Sequence, residues 1–178
     1  MRTRRIMPTQ KPGRSKQDYE TPTGFLEAVK SRFNISAFAC DLAASPNNAK
    51  ALHYFTEIDD SLKQDWTTLK DTARGPFTNL WLNPPFGHIE PWARKCAVST
   101  REQKNLRIFL LTPASVGANW FAKWVFPDAF VMALQGRLSF DGTAPFPKDC
   151  LLSIFGNGEG GFELWDWRLT RAPRKAKG

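Results

Sequence analysis

Short continuous apolar runs alternate along the chain with stretches whose apolar residues recur at helical spacing. Phe25, Leu26, Val29 and Phe33 fall on one face of a helix of about three turns. Thr21-Pro22 precede them as a hydroxyl cap and a first-turn proline. AFACDL (37–42) reads as a short strand ending on an acid, Asp41. ASPNNAKA supplies turn residues, HYFTEIDD suggests a second strand running into an acidic loop, and another short segment ends at Asp65-Trp66. TNLWL (78–82) is the clearest strand of the first half. From Ile89 to about Gln103 the spacing predicts a helix, with Trp92, Cys96 and Ala97 on a shared face. RIFLLTPAS (107–115) is a continuous apolar strand of the type covered on both faces in a parallel sheet. A short helix, ANWFAKWVF, precedes AFVMAL (129–134). DCLLSIF (149–155) closes the pattern, after a loop marked by Asp141-Gly142 and Pro145-Phe146-Pro147.

Strand, helix and strand at this spacing form a βαβ unit. The expected architecture is a doubly wound α/β fold with a mostly parallel sheet, finishing in an antiparallel hairpin. A length of 178 residues suits one domain, placed at 18–167 between two flanking arms. At 42% hydrophobic and 13% aromatic, the composition is that of a globular protein. No apolar run approaches the roughly 18 residues of a membrane span, and the arginine-rich start lacks a signal-peptide core. Cys40, Cys96 and Cys150 are far apart and odd in number, which fits reduced thiols in a cytoplasm. His53 and His88 leave too few ligands for a soft-metal cluster. No membrane and no metal are therefore expected.

The net charge of +8 is unevenly placed. Residues 1–17 carry six basic side chains and no acid, and residues 168–178 carry five, again with no acid. The remaining fourteen basic residues face all 17 acids, so the body is slightly acidic between two basic arms. Such arms suit electrostatic contacts with phosphates, and they also suit simple solubility.

Ligands of open α/β sheets bind outside the carboxyl ends of the parallel strands. Asp41 ends the first strand and Asn83 follows the fourth. Asp59 and Asp60 lie eighteen and nineteen residues beyond Asp41. That is close to the distance of about 20 at which nucleotide folds place a ribose-binding acid. The glycine-rich turn of dinucleotide sites is missing, because Asp41 is followed by Leu-Ala-Ala-Ser. At Asn83-Pro84-Pro85-Phe86, two prolines fix φ near −65° and leave carbonyls that only accept. The asparagine oxygen is a second acceptor nearby. Two convergent acceptors suit an uncharged exocyclic amine, and Phe86 suits the flat ring that carries it. A base inside a duplex must be flipped out to reach such a pocket. His88 reads as structural, and most of the seven tryptophans read as core.

LNPPFG resembles the (D/N/S)PP(Y/F/W) motif IV of amino-methyltransferases. The chain as a whole resembles the phage-type DNA N6-adenine methyltransferase family over most of 18–156. The likeness rests on DYETPTGFLEAV, FACDLAASPNNAKALHYFTEIDDSL, WLNPPFGHIEPWARKC, LLTPASVGANWF and QGRLSF. It implies a fold of the class I S-adenosylmethionine-dependent type, S-adenosyl-L-methionine as cofactor and DNA as partner, in a phage or prophage setting. It also implies that Asn83, Pro84, Pro85 and Phe86 hold the adenine, and that Thr21 and Pro22 lie near the methionine end of the cofactor. Asp41 and Ala43 would belong to the cofactor strand, and Asp59 or Asp60 would hold the ribose. Gln135 and Arg137, and more weakly Ser115 and Asn119, are candidates for nucleic-acid contacts; an ion pair at Arg137 is the alternative. The tetrad also serves methyltransferases acting on cytosine N4, RNA adenine or protein glutamine. A further alternative is a non-catalytic DNA-binding protein on the same fold. Oligomeric state is not written in the sequence.

Overall fold

The computed structural model describes residues 20–70, 76–140, 142, 144–158 and 160–169. The arm at 1–17, Asp18-Tyr19, Asp141 and all of the basic tail beyond Leu169 lie outside the described residues. The described strands are β1 (Cys40–Asp41), β2 (His53–Tyr54), β3 (Thr78–Leu82), β4 (Leu106–Pro113), β5 (Ala129–Leu134), β6 (Cys150–Phe155) and β7 (Gly161–Trp165). They form one sheet in the order β2-β1-β3-β4-β6-β5-β7. Strands β2, β1, β3 and β4 are mutually parallel, β6 runs antiparallel between β4 and β5, and β7 is parallel to β5.

Helix α1 (Thr23–Phe33) and helix α2 (Glu90–Glu102) cover opposite faces of the sheet. Phe25, Leu26, Ala28 and Val29 of α1 pack with Trp81, Phe109, Leu111 and Met132. Ala93, Cys96 and Ala97 of α2 pack with Leu80, Leu82, Ile108 and Leu110. Because both faces are covered, every residue of β3, β4 and β6 is buried, and these strands need no polar alternation. Removing a large apolar side chain from water contributes about 1.5–3 kcal/mol, so the paired cores dominate the stability. Helix α1 ends at Asn34, whose φ of 51° lets the Ile35 N–H return to the Lys30 carbonyl at 2.9 Å.

The observed elements correct several of the expected ones. Strand β1 is only Cys40–Asp41 within the expected 37–42, and β2 is only His53–Tyr54. The segment ending at Asp65-Trp66 is not a strand but two short 3-10 helices, Ser61–Lys63 and Trp66–Thr68. Asp65 accepts the Thr67 N–H at 2.9 Å, which closes the second of them. Asn83 therefore follows the third strand rather than the fourth. Thr21 does not cap α1; the cap position is Pro22, with no side-chain bond. The sheet does not finish with the β5–β6 hairpin, since β7 adds a parallel strand at the edge. The short helix before β5 is a five-residue π-helix, Phe121–Val125.

The topology gathers one edge. Strands β1, β3 and β4 point the same way, and two antiparallel steps through β6 give β5 and β7 that direction again. Asp41, Asn83, Ala114, Gln135 and Asp166 consequently emerge at or just beyond the same carboxyl edge.

Candidate active site

The chain turns abruptly after Leu82. Pro84 is buried, while Asn83, Pro85 and Phe86 are half-buried. The Asn83 Nδ2 donates to the Thr21 Oγ1 at 3.2 Å, and Thr21 is only 2% exposed. This bond turns the amide nitrogen toward α1 and fixes which side of the amide each of its polar atoms occupies. The Phe86 ring meets Phe146 at 5.6 Å and Phe140 at 6.1 Å, edge-on at 61° and 67°. Phe140 and Phe146 come from the loop between β5 and β6 and are buried, so the three rings form an aromatic cluster packed on the α1 side of the core. His88 is exposed in the turn that follows.

On the other side of Asn83 lies a cleft of about 460 Å³, within the range of small-molecule sites. Its walls come from the segments after β1, after β2 and after β3. Leu42, Ala43, Phe55, Ile58 and Trp92 supply apolar surface, and Glu57, Asp60 and Asn48 supply polar groups. Asn83 and Pro85 line the same cleft, which places the tetrad between it and the Phe86–Phe140–Phe146 cluster.

Asp41 stands behind this wall. Its carboxylate accepts the Ala43 N–H at 3.3 Å and the Lys50 N–H at 3.0 Å, bracing the 43–50 loop from below. Burial pushes its carboxyl up to about 6, against the pull of those two N–H groups and the Lys50 charge. Asp59 accepts both the N–H and the hydroxyl of Thr56 at 2.7 Å, and these bonds hold its carboxyl below the usual range. It is occupied with its own turn. Asp60 lines the cleft and pairs with Lys63 at 2.7 Å. Pro22 is half-buried, and its carbonyl accepts from Phe25 and Leu26 at the start of α1.

The cleft wall that carries Asp60 and Ser61 is fixed by Lys95 of α2. The Lys95 ammonium donates to the carbonyls of Ser61, at 3.3 Å, and Leu62, at 2.7 Å, and to that of Gln64. It also lies 4.8 Å from the Trp66 ring centroid, and Trp66 stacks on Trp92 at 6.3 Å. Partial burial draws its pKa down.

Ser115 is exposed in the loop after β4, and Asn119 is exposed where the short helix before β5 begins. Gln135 and Arg137 are exposed after β5, and Arg137 makes the alternative ion pair, with Asp149 at 3.3 Å. Cys40, Cys96 and Cys150 are buried free thiols whose pKa values burial raises, Cys40 and Cys150 to about 12. Among the described residues, no group of three or more His, Cys, Asp or Glu side chains could hold a metal, and no helix is long and apolar enough to cross a membrane.

Three features escaped the sequence reading. Glu57 lines the cleft, and its signal was being the first acid after β2, ahead of the spacing rule that selected Asp59 and Asp60. Trp92 is a cleft wall rather than plain core. Lys95 carried no local signal, because its partners lie 31 to 34 residues away.

The α/β sheet thus carries a cleft and an asparagine–diproline–aromatic turn side by side at its carboxyl edge. The DNA N-6-adenine-methyltransferase (Dam) family matches the chain over residues 8–154, and the chain belongs to that family. Its activity in general is methylation of adenine N6 in DNA. No curated protein matches the chain significantly.

Proposed function

We propose that the chain transfers the methyl group of S-adenosyl-L-methionine to N6 of an adenine flipped out of DNA. The observation that carries this reading is the position of Asn83, which lines the cleft while Phe86, three residues on, packs on the Phe140–Phe146 cluster beside it. The cleft residues fit the cofactor by their chemistry. Apolar surfaces at Phe55 and Ile58 suit a flat purine, carboxylates at Glu57 and Asp60 suit ribose hydroxyls and a cationic ligand, and about 460 Å³ accommodates a nucleoside-sized molecule. When bound, S-adenosyl-L-methionine supplies an electrophilic methyl group on a sulfonium.

The chain's own residues orient the amine. The Asn83 oxygen and the Pro84 carbonyl accept the two N6 hydrogens, drawing the nitrogen lone pair out of conjugation with the ring. Phe86 stacks on the base, and Phe140 and Phe146 exclude water from the opposite side. Most of the rate enhancement then comes from positioning and from preorganised acceptors, with no general base required ahead of methyl transfer. The fold is of the class I methyltransferase type, carried on one domain at 18–167.

Sequencing modified DNA from cells expressing the protein, at single-base resolution, tests the reading. Methylated adenines in a defined sequence context are expected. Methylated cytosines, or unmodified DNA from cells that contain the folded protein, would overturn it.

A further inference from the structure

Gln135, Gly136 and Arg137 leave β5 at the same edge as Asn83. The Gln135 N–H donates to the Trp165 carbonyl at 2.9 Å, so the ends of β5 and β7 are tied together. The chain then runs on through Asp166 and Trp167 to Arg168, which folds back across Gly136. A Cβ at Gly136 would stand 2.9 Å from the Arg168 Cζ and Nη1, and its φ is +84°. The positive φ favours glycine at this position, and the guanidinium lies directly over it. Arg137 follows directly, and its neighbour Leu138 accepts the Phe146 N–H at 2.6 Å. Phe146 is the ring that packs on Phe86.

Both guanidiniums are about half exposed, at 52% for Arg137 and 51% for Arg168. Among the described residues each has one acidic partner, Asp149 at 3.3 Å and Asp166 at 3.0 Å. A guanidinium has five N–H donors, so each retains donors directed to solvent. The single Arg137 contact is a weak surface pair, Arg168 holds Asp166 through two N–H bonds at 3.0 and 3.3 Å, and the arginine fork that fits a carboxylate also fits a phosphate. The sequence continues past Leu169 with Arg171, Arg174, Lys175 and Lys177 and no acid.

We propose that Arg137 and Arg168, which approach each other across Gly136, form a phosphate-binding edge for the DNA strand that presents the target base. This rests on the DNA reading above and adds the residues that grip the backbone. The molecule contains a matched control. Arg101 pairs with Asp128 at 2.6 Å and is 54% exposed, but it sits at the end of α2 and the start of β5, on the opposite edge of the sheet.

The test is the salt dependence of duplex DNA binding, by fluorescence anisotropy, for the wild type, Arg137→Gln, Arg168→Gln and Arg101→Gln. Each lost phosphate contact lowers the slope of log K against log salt by about 0.9. Arg137→Gln and Arg168→Gln should each show that loss, equally on unrelated sequences, and Arg101→Gln should not. Asp149→Asn, which removes a competing carboxylate, should tighten binding, and it keeps the proposal testable should an arginine variant fold poorly. Unchanged slopes for both edge variants, or an equal loss in Arg101→Gln, would overturn the proposal. Labelled methyl transfer on the same duplex separates the two readings. Methylation with unchanged slopes removes only the phosphate edge, whereas changed slopes without methylation by the wild type remove only the catalytic reading.

Discussion

Asn83 and Thr21 are 62 residues apart in the chain, yet the Asn83 Nδ2 donates to the Thr21 hydroxyl at 3.2 Å. The bond joins the tetrad to the segment that opens α1, and it orients the amide whose oxygen faces the target amine in the proposed mechanism. Thr21→Val keeps the shape and removes the acceptor. One neutral hydrogen bond contributes about 0.5–1.5 kcal/mol, so kcat should fall by roughly 2- to 13-fold. The KM for cofactor should hardly move, and Thr21→Ser should retain most of the activity. Steady-state kinetics on the three proteins checks this, and an unchanged kcat in Thr21→Val would contradict it.

Lys95 should act on the cleft rather than on chemistry. Lys95→Met keeps most of the side-chain bulk but withdraws the ammonium from the carbonyls of Ser61, Leu62 and Gln64. The turn carrying Asp60 and Ser61 then loses its anchor. Cofactor binding should weaken about tenfold, and stability should fall by about 1–3 kcal/mol. Calorimetric titration with S-adenosyl-L-methionine, with kcat measured at saturating cofactor, separates the two effects. A variant with normal affinity but reduced kcat would show that Lys95 does something else.

The Asp41 carboxyl, raised to about 6, sets a pH signature. The ordinary value in an unfolded chain is about 4, so the folded protein binds this proton more tightly than the unfolded one. The stability that Asp41 contributes is thus complete below about pH 4 and lost as the pH rises through about 6. Asp41→Asn cannot titrate. Between pH 4 and pH 7 the unfolding free energy of the wild type should fall relative to that of Asp41→Asn by about 2–3 kcal/mol. Urea unfolding at four pH values measures the difference directly. A difference independent of pH would place the carboxyl elsewhere.

Gly156 offers a control remote from the site. Its φ is +74°, and a Cβ there would stand 2.0 Å from the Leu106 carbonyl oxygen at the amino edge of β4. Gly156→Ala must displace backbone as well as strain it, so a loss of about 3 kcal/mol is expected. The surviving folded fraction should methylate at the wild-type rate per molecule, as measured by activity against folded protein in mild urea.

The sequence disclosed most where one physical rule acted alone. β5 was expected at 129–134 and is found there, because six residues of AFVMAL lie between turn signals. β4 was legible because an apolar run covered on both faces needs no partner to be recognised. Helix α2 and the tetrad at the end of β3 followed from periodicity and from proline chemistry. What stayed hidden depends on distant contacts. The Trp66 segment looks like a strand end until Lys95 and Ser61 are seen to hold it in a 3-10 turn. β7 shows little of a strand pattern, since Phe162 and Leu164 are exposed on an edge that only β5 pairs. The pairing of Thr21 with Asn83 is a property of the folded edge and has no local trace. Spacing drew attention to Asp59, which the fold commits to Thr56, and away from Glu57, which lines the cleft.

The central claim is that Asn83 holds an adenine amine for methyl transfer. The most direct measurement digests DNA that has been incubated with S-adenosyl-L-methionine and either the wild type or Asn83→Ala, and quantifies methylated nucleosides by mass spectrometry. The wild type should yield N6-methyladenine, and Asn83→Ala should form it about 10²–10³-fold more slowly with cofactor affinity nearly unchanged. N4-methylcytosine in its place, or undiminished N6-methyladenine from Asn83→Ala, would contradict the claim.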